Sequence, residues 1–369
     1  MYKLIHIVDY PQANPWIENQ IQYLSENGIK QGLVSIYYDG ELLENLRKAE
    51  FKELYKCKFN VIGFFRIGKQ IKSKDYEYKK ILYAHGHKPS VMAMVLKVVF
   101  GFDYVVSHHH PPHWLDMYQE KHKIKGKYHQ FLRDKYYKHA IAIQSFSSEV
   151  DRYLEGKGVA NGKILRIPLG VDFGRFKLEA FDTVHKNRET HELKILTVSR
   201  LAWEKRIDLG LEIATELSLL GIDFHYSIIG DGPQKQDLLQ KINVLKLSHF
   251  VDIVGWVNNI DEHYKNNDIL LHLSVTESYG QVLVEARMHG LPVLTTPCGI
   301  ALNMASTADS DFHVLTSLRP SEVAAEIVRI SKIRSSTNDS PGRFKLYKDQ
   351  EFYKVQEDLK DALIQLFRS

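Results

Sequence analysis

Five short apolar runs, at 193–198, 225–229, 251–254, 269–273 and 292–295, are separated by stretches of helical periodicity. Those stretches fall at about 207–219, 234–245, 260–266 and 280–289, with a further one at 320–333. This alternation constrains the fold more than any other feature. A run that is apolar throughout belongs to a strand covered on both faces, and a helix between successive strands forces crossover connections and a parallel sheet. The second half therefore reads as a doubly wound α/β unit. The first half repeats the pattern less regularly, with strand-like runs at 4–8, 32–38, 80–83, 104–107, 140–144 and 164–167. Helices are expected there at 15–27, where Trp16, Ile17, Ile21 and Leu24 form a stripe closed by Gly28, and at 90–100.

A chain of 369 residues is too long for one core. The polar, weakly patterned stretch 173–191 is the linker candidate. The expected organisation is a Rossmann-like domain over 1–175, a second over 176–345, and a final helix within 346–369 that crosses back to the first. Two such sheets leave a cleft at their carboxyl ends, where ligands of open parallel sheets bind. Apolar residues at 44% and charged residues at 25% exclude a disordered or fibrous chain. Two cysteines, Cys57 and Cys298, build no disulfide framework, which suggests a reducing, cytoplasmic setting. The first nine residues read as a strand rather than a signal peptide, and the longest apolar stretch, 91–106, is broken by Lys97 and Asp103, so no membrane span is expected.

The net charge of +4 hides an asymmetry: residues 1–175 carry 27 Lys+Arg against 18 Asp+Glu, and the remainder 22 against 27. A basic first half suits an anionic partner. Nucleic acid is disfavoured, because no reading motif accompanies the charge. Residues 121–138 form a basic helical stretch with Ile124, Tyr128, Phe131, Leu132 and Tyr136 on a stripe. It fits a helix lying peripherally on an anionic membrane surface, or one that faces the core.

The chemistry-bearing segment is Thr276-Glu277-Ser278-Tyr279-Gly280-Gln281, between the 269–273 strand and a helix that carries Glu285. That order aims the helix's free N–H groups out of the sheet's carboxyl end, an anion site. Glu285 would accept from a ribose diol and Glu277 would face a second polyol; the bland alternatives are a surface glutamate and a helix cap. A glycosidase carboxylate pair is a further reading. Arg200 and Lys205 follow the 193–198 strand and would neutralise a diphosphate at the same mouth. Ile229-Gly230-Asp231-Gly232-Pro233 is a tight strand-to-helix turn. Asp309-Ser310-Asp311 is a formal Asp-x-Asp. His108, His109, His110 and His113 follow the 104–107 strand and suit either a metal site or a loose surface cluster.

In this order, Ser-Arg-Leu-x₃-Lys (199–205), Gly-Asp-Gly-Pro (230–233), Val-x-Ile-Val-Gly-Trp (251–256), Glu-x₇-Glu (277–285), Gly-Leu-Pro-Val-Leu-Thr-Thr (290–296) and His-Val-Leu (313–315) resemble the family 4 glycosyltransferases of the two-domain GT-B fold. Ala-His-Gly (84–86) and Ile-Pro-Leu-Gly-Val-Asp (167–172) extend the resemblance more thinly into the first half. The resemblance implies an α/β protein of two Rossmann-like domains and an enzyme that transfers a sugar from a nucleotide-diphosphate donor, with retention and without metal or cofactor. It implies that Arg200 and Lys205 contact the diphosphate, Glu285 the ribose and Glu277 the donor sugar. Gly230, Ser278, Tyr279, Gly280 and Gln281 would line the donor, with backbone amides of 279–281 on phosphate oxygens. His109, with His108 as the fallback, would face the sugar, so that His109, Glu277, Arg200 and Lys205 form the catalytic set. The implied acceptor is a cell-surface glycan or lipid-linked saccharide. The sequence departs from the family where Gln12-Ala-Asn14-Pro15-Trp16 replaces a glycine-glycine loop, Ser278-Tyr279 replaces Gly-Phe, Leu169 replaces Asn, and 300–303 lacks Gly-Gly-x-x-Glu. Two rivals remain: a zinc hydrolase built on the 108–113 histidines, and a non-catalytic nucleotide-sugar-binding module.

Overall fold

The computed structural model describes residues 2–9, 15–36, 53–109, 111–112, 123–172, 192–307, 309–334 and 351–368. It divides into two compact units, one of residues 1–168 and 353–369, the other of residues 169–352. Leu169 to Asp172 therefore belong to the second unit rather than the first, and the proposed linker, 173–191, lies outside the described residues.

The first unit is built on β1 (Tyr2–Val8), β2 (Lys30–Ser35), β3 (Leu54–Lys56), β4 (Lys79–His85), β5 (Asp103–Ser107), β6 (Ala142–Ser145) and β7 (Ile164–Arg166). All pair in parallel, in the order β3-β2-β1-β4-β5-β6-β7. The chain thus reverses its direction of winding between β1 and β4, the topological switch point of a doubly wound sheet. Helices α1 (Pro15–Glu26), α2 (Val61–Ser73), α3 (His87–Phe100), α4 (Lys123–His139) and α5 (Ser148–Gly156) supply the layers. Strand β4 runs two residues past the sequence expectation, to His85, and α3 starts three residues before it. Helix α2 was not anticipated, although its marks are local: Asn60 caps it by accepting from the Gly63 N–H at 2.8 Å, and Phe64, Ile67 and Ile71 recur at helical spacing on its buried side.

The second unit contains β8 (Leu193–Val198), α6 (Ile207–Leu219), β9 (Phe224–Ile229), α7 (Lys235–Val244), β10 (Val251–Gly255), α8 (Asp261–Asn266), β11 (Ile269–His272), α9 (Gln281–Met288), β12 (Val293–Thr295), α10 (Ala301–Ala305), β13 (Phe312–Val314) and α11 (Pro320–Arg334). Its parallel sheet runs β10-β9-β8-β11-β12-β13, with the switch point between β8 and β11. Leu217, Phe224, Ile228, Ile269, Leu271, Val323 and Ile327 are among the residues that bury one face.

The last helix, α12 (Phe352–Arg368), places Val355, Leu359, Leu363 and Phe367 at every fourth position against Leu4, Leu24, Ile81 and Tyr83 of the first unit. Gln356 lies in the same seam and accepts from Gln20 Nε2 at 3.1 Å. The chain's final helix thus completes the first unit's core.

Candidate functional site

At the switch point of the second unit, β8 ends in Val198 and leads through Ser199–Ala202 into one turn of 3₁₀ helix, Trp203–Lys205. Strand β11 ends in His272 and leads into the 273–280 loop. The two loops are stitched together at Glu204, whose backbone carbonyl accepts from the Val275 N–H at 2.8 Å and from Ser274 Oγ at 3.2 Å. This fixes Lys205 against Glu277, 72 residues later, in a close ion pair. His272 Nε2 lies 3.1 Å from the same carboxylate oxygen. Burial pushes the Glu277 carboxyl up, but the Lys205 charge and the His272 hydrogen bond outweigh it and hold the group at about 2. Glu277 is therefore ionised at neutral pH, paired with Lys205, with 13% and 14% of their side chains exposed.

Arg200 is 62% exposed and bonds through Nη2 to Glu204 Oε1 at 2.7 Å. Both cations expected at a diphosphate thus stand at the β8 end, each on a carboxylate. Gly280, at φ +93°, starts α9 in the left-handed region without a side-chain cap, so that Gln281 and Val282 stand at the helix's amino end. Tyr279 is buried, and its carbonyl accepts from the Ile300 N–H at 2.8 Å. Ser278 is half-buried, and Gln281 donates through Nε2 to the Gly170 carbonyl at 3.2 Å. Glu285, on the next turn of α9, is buried, and its Oε2 accepts from the Tyr264 hydroxyl at 2.9 Å. A carboxylate accepts more than one bond, so this partner orients Glu285 without exhausting it.

Gly230 occupies φ +136°, where a Cβ would sit 1.9 Å from the Ser199 carbonyl oxygen. Glycine here is what lets the β9 loop close onto the β8 loop, a packing role that exists whatever the pocket holds. Asp309 and Asp311 both accept from the guanidinium of buried Arg287, at 2.7 and 3.2 Å. The formal Asp-x-Asp is an ion-pair cluster with Arg287.

In the first unit, His109 follows β5. Its Nε2 lies 3.0 Å from His85 Nδ1 and 3.0 Å from Ser107 Oγ, and Trp16 and Phe146 each place a ring centroid 5.1 Å from its own. His108 is buried against the rings of Tyr137 and Tyr153. The two histidines thus turn into different surroundings, while His110 and His113 lie outside the described residues. Among the described residues no group of three or more His, Cys, Asp or Glu is arranged to hold a metal ion.

Sequence reasoning overlooked His272 and Glu204. His272 ends an otherwise apolar run, Ile-Leu-Leu-His, at a strand's carboxyl edge, and that position was the available signal.

The family model described as glycosyl transferases group 1 matches residues 181–344. A 41.2 kDa protein encoded in the cps region of Klebsiella pneumoniae is 25% identical over 87% of this chain and 90% of its own length. The amylovoran biosynthesis glycosyltransferase AmsD of Erwinia amylovora is 30% identical over 121 residues, a third of each chain. Among solved structures, Anabaena Alr3699/HepE in complex with UDP and glucose superposes with a TM-score of 0.79 at 16% identity, over 99% of this chain and all of that one. Sucrose-phosphate synthase from Thermosynechococcus elongatus gives 0.77 at 16% identity over the full length of both. With its two parallel α/β units and the motif-bearing loops at the second switch point, the chain has the two-domain GT-B fold, and its residues 181–344 are similar to the glycosyl transferases group 1.

Proposed function

We propose that the protein is a retaining, metal-independent glycosyltransferase that moves a sugar from a nucleoside-diphosphate donor to a glycan or lipid-linked acceptor. The observation that carries this reading is the Lys205–Glu277–His272 cluster at the switch point, between the Arg200 loop and the amino end of α9. When the glycosidic bond to the diphosphate breaks, negative charge develops on the leaving phosphate. Lys205, Arg200 and the amides of 279–281 are the groups that stabilise it, more strongly in the transition state than in the ground state. Glu277, ionised at any neutral pH, accepts from donor-sugar hydroxyls, and Glu285 accepts from the ribose diol. Gly230 and Ser278 complete the donor loops, and His109 is the first unit's contact with the donor sugar. The UDP-glucose complex of Anabaena Alr3699/HepE supports a uridine donor as the first to test.

The test is a thermal-shift screen over nucleotide sugars, followed by titration of Glu285→Gln and Arg200→Ala. Weaker nucleotide binding in a folded variant is expected, and unchanged affinity in both overturns the assignment. The anomeric configuration of the product, read by NMR, checks retention. Activity after exhaustive chelation checks metal independence.

A second observation supports work at an anionic membrane surface. On α4 the stripe divides: Tyr136 is buried, whereas Ile124, Tyr128 and Phe131 are exposed at spacings of four and three, among Lys123, Lys125, Lys127 and Lys135. The neighbouring α3 and α2 add exposed Val98, Val99, Val61, Ile62 and Phe65, with Arg66, Lys69 and Lys72 on α2. Exposed apolar residues ringed by lysines fit peripheral attachment, and among the described residues no helix is long and apolar enough to cross a membrane. Sedimentation with anionic vesicles should show binding that salt weakens; salt-independent absence of binding removes this part.

A further inference from the structure

Among the described residues, three other than glycine hold their backbone in the left-handed region: Asp75 at φ +50°, Arg206 at φ +49° and Lys246 at φ +59°. A Cβ makes that conformation costly, so something must offset it. For two of the three the structure supplies the offset. Asp75 accepts from Lys30 Nζ at 2.9 Å and forms a close ion pair with buried Lys3. Lys246 is exposed and sits in the turn that closes α7, where its N–H donates to the Asn243 carbonyl at 3.1 Å and the Leu247 N–H to the Ile242 carbonyl at 3.0 Å.

Arg206 differs from both. It ends the Trp203–Lys205 turn and begins α6, its N–H donating to the Trp203 carbonyl at 3.2 Å and its carbonyl accepting from the Leu209 N–H at 3.1 Å. Those bonds require the backbone angle and no side chain, so glycine would make them without strain. Arg206 is half-buried, and among the described residues its guanidinium has no hydrogen bond and no ion pair. The other cations of the same loop are matched, Lys205 by Glu277 and Arg200 by Glu204. Arg206 therefore carries the positive charge that no carboxylate of this loop offsets. It stands where β8 gives way to α6, at the carboxyl end of the sheet and beside its switch point, where open parallel sheets bind ligands. A half-buried charge without a partner is unfavourable until a counter-charge arrives.

We propose that Arg206 is a further phosphate-binding residue of the donor site, a guanidinium held without a carboxylate so that its charge is available to the diphosphate of the nucleotide sugar. The two ion pairs beside it are each neutral overall and orient the loops, whereas Arg206 adds the net charge that an anion of more than one negative charge needs. Its planar fork suits two phosphate oxygens at once. The backbone strain is thus kept at a ligand site, where the bound anion offsets it, although glycine would remove it. This rests on the reading of the second switch point as a nucleotide-diphosphate site.

The test measures, on the full chain, the calorimetric affinity for UDP, uridine and inorganic diphosphate, together with urea unfolding. Arg206→Gly should raise the urea midpoint, because the strain is relieved, and yet raise the Kd for UDP and for inorganic diphosphate about tenfold, with a shallower dependence on salt. Uridine, which has no phosphate, should bind the variant as it binds the parent. Lys246→Gly is the comparison: it removes the same charge and a similar strain before β10, at the amino end of the same sheet, and should raise the midpoint with the UDP affinity unchanged. Stability and affinity that move in opposite directions at Arg206 alone are what a merely structural role would not give. Parental affinity in Arg206→Gly overturns the proposal, and so does an equal loss in Lys246→Gly. In the unsubstituted protein with ¹⁵N-labelled arginine, UDP should shift the Arg206 Nε–H signal, identified by its loss in Arg206→Lys; an unmoved signal overturns the proposal whether or not Arg206→Gly folds. If inorganic diphosphate binds through Arg206 while UDP does not bind, the nucleotide reading fails and the phosphate role stands. If the parent binds neither, both fail.

Discussion

The two units wind their sheets in the same order and place their chemistry at the same topological point, yet they equip it in opposite ways. At the β8–β11 point of the second unit stand full charges, Lys205 on Glu277 with Arg200 on Glu204. At the β1–β4 point of the first stands a run of imidazoles and one amide, Gln31, His6, His85 and His109, in which burial holds the His6 and His85 imidazoles below their ordinary value. The fold fixes where a site lies, and the residues set there decide whether it works by electrostatics or by hydrogen-bond polarity. A departing diphosphate demands the first kind, because charge appears during the reaction.

The largest expected effect follows from this contrast. Lys205→Met removes the cation that pairs with Glu277 and is proposed to stabilise the leaving diphosphate, and it leaves Glu277 largely buried beside His272. Loss of one preorganised stabilising group costs on the order of 10²–10³ in kcat. The Glu277 carboxyl should also titrate well above its present value, since burial would no longer be opposed by Lys205. Gln31→Leu removes no charge and leaves His109 beside Ser107 and His85, so steady-state kinetics should show a loss at least tenfold smaller than for Lys205→Met. Equal losses would break the contrast.

Acid should separate the two arrangements next. The His6 imidazole is held at about 4 in the folded chain, so its contribution to stability is complete above pH 6.5 and is lost as pH falls from there towards 4. Glu277, held at about 2, keeps its contribution above pH 4.5 and loses it only below. His289 in the second unit is also held low by burial, so the difference made by a single substitution is the informative quantity. His6→Gln should flatten the decline in urea-unfolding stability between pH 6.5 and 5 by up to about 1.4 kcal/mol per pH unit. A variant with the parent's slope would remove the buried imidazole from the account.

How much of this the residues disclosed in advance depended on whether the deciding contact was local. Apolar strands and helical stripes repeat within a few residues, so both sheets were readable, as was the loop-and-helix segment of Glu277, Gly280 and Glu285. Strand β3 and helix α2 were missed. β3 spans only three residues, and α2 shows a mixed face with exposed Val61, Ile62 and Phe65. The role of the Asp-x-Asp was not legible either, because its partner Arg287 sits on α9, 22 residues before Asp309. The His6–His85 contact joins residues 79 apart, and Gln31 reaches His6 only because β2 lies beside β1. No local pattern encodes such a line. It exists only once the strand order is known.

The smallest effect expected at the charged point tests whether exposure matters as much as charge. Arg200 carries the same unit charge as Lys205, but 62% of its side chain is exposed against 14%, and its bond to Glu204 spans a single turn. Pairs this exposed contribute between nothing and about 1 kcal/mol. Arg200→Ala should therefore leave the urea midpoint within error of the parent and weaken nucleotide binding only several-fold, with a shallower dependence on salt. Lys205→Met should exceed it on both counts, because the Lys205 charge acts where solvent screens it least. Should calorimetric titration find Arg200→Ala the more damaging of the two, then the exposed guanidinium, folding onto the diphosphate once it is bound, is the main phosphate contact, and the buried pair serves chiefly to hold the two loops together.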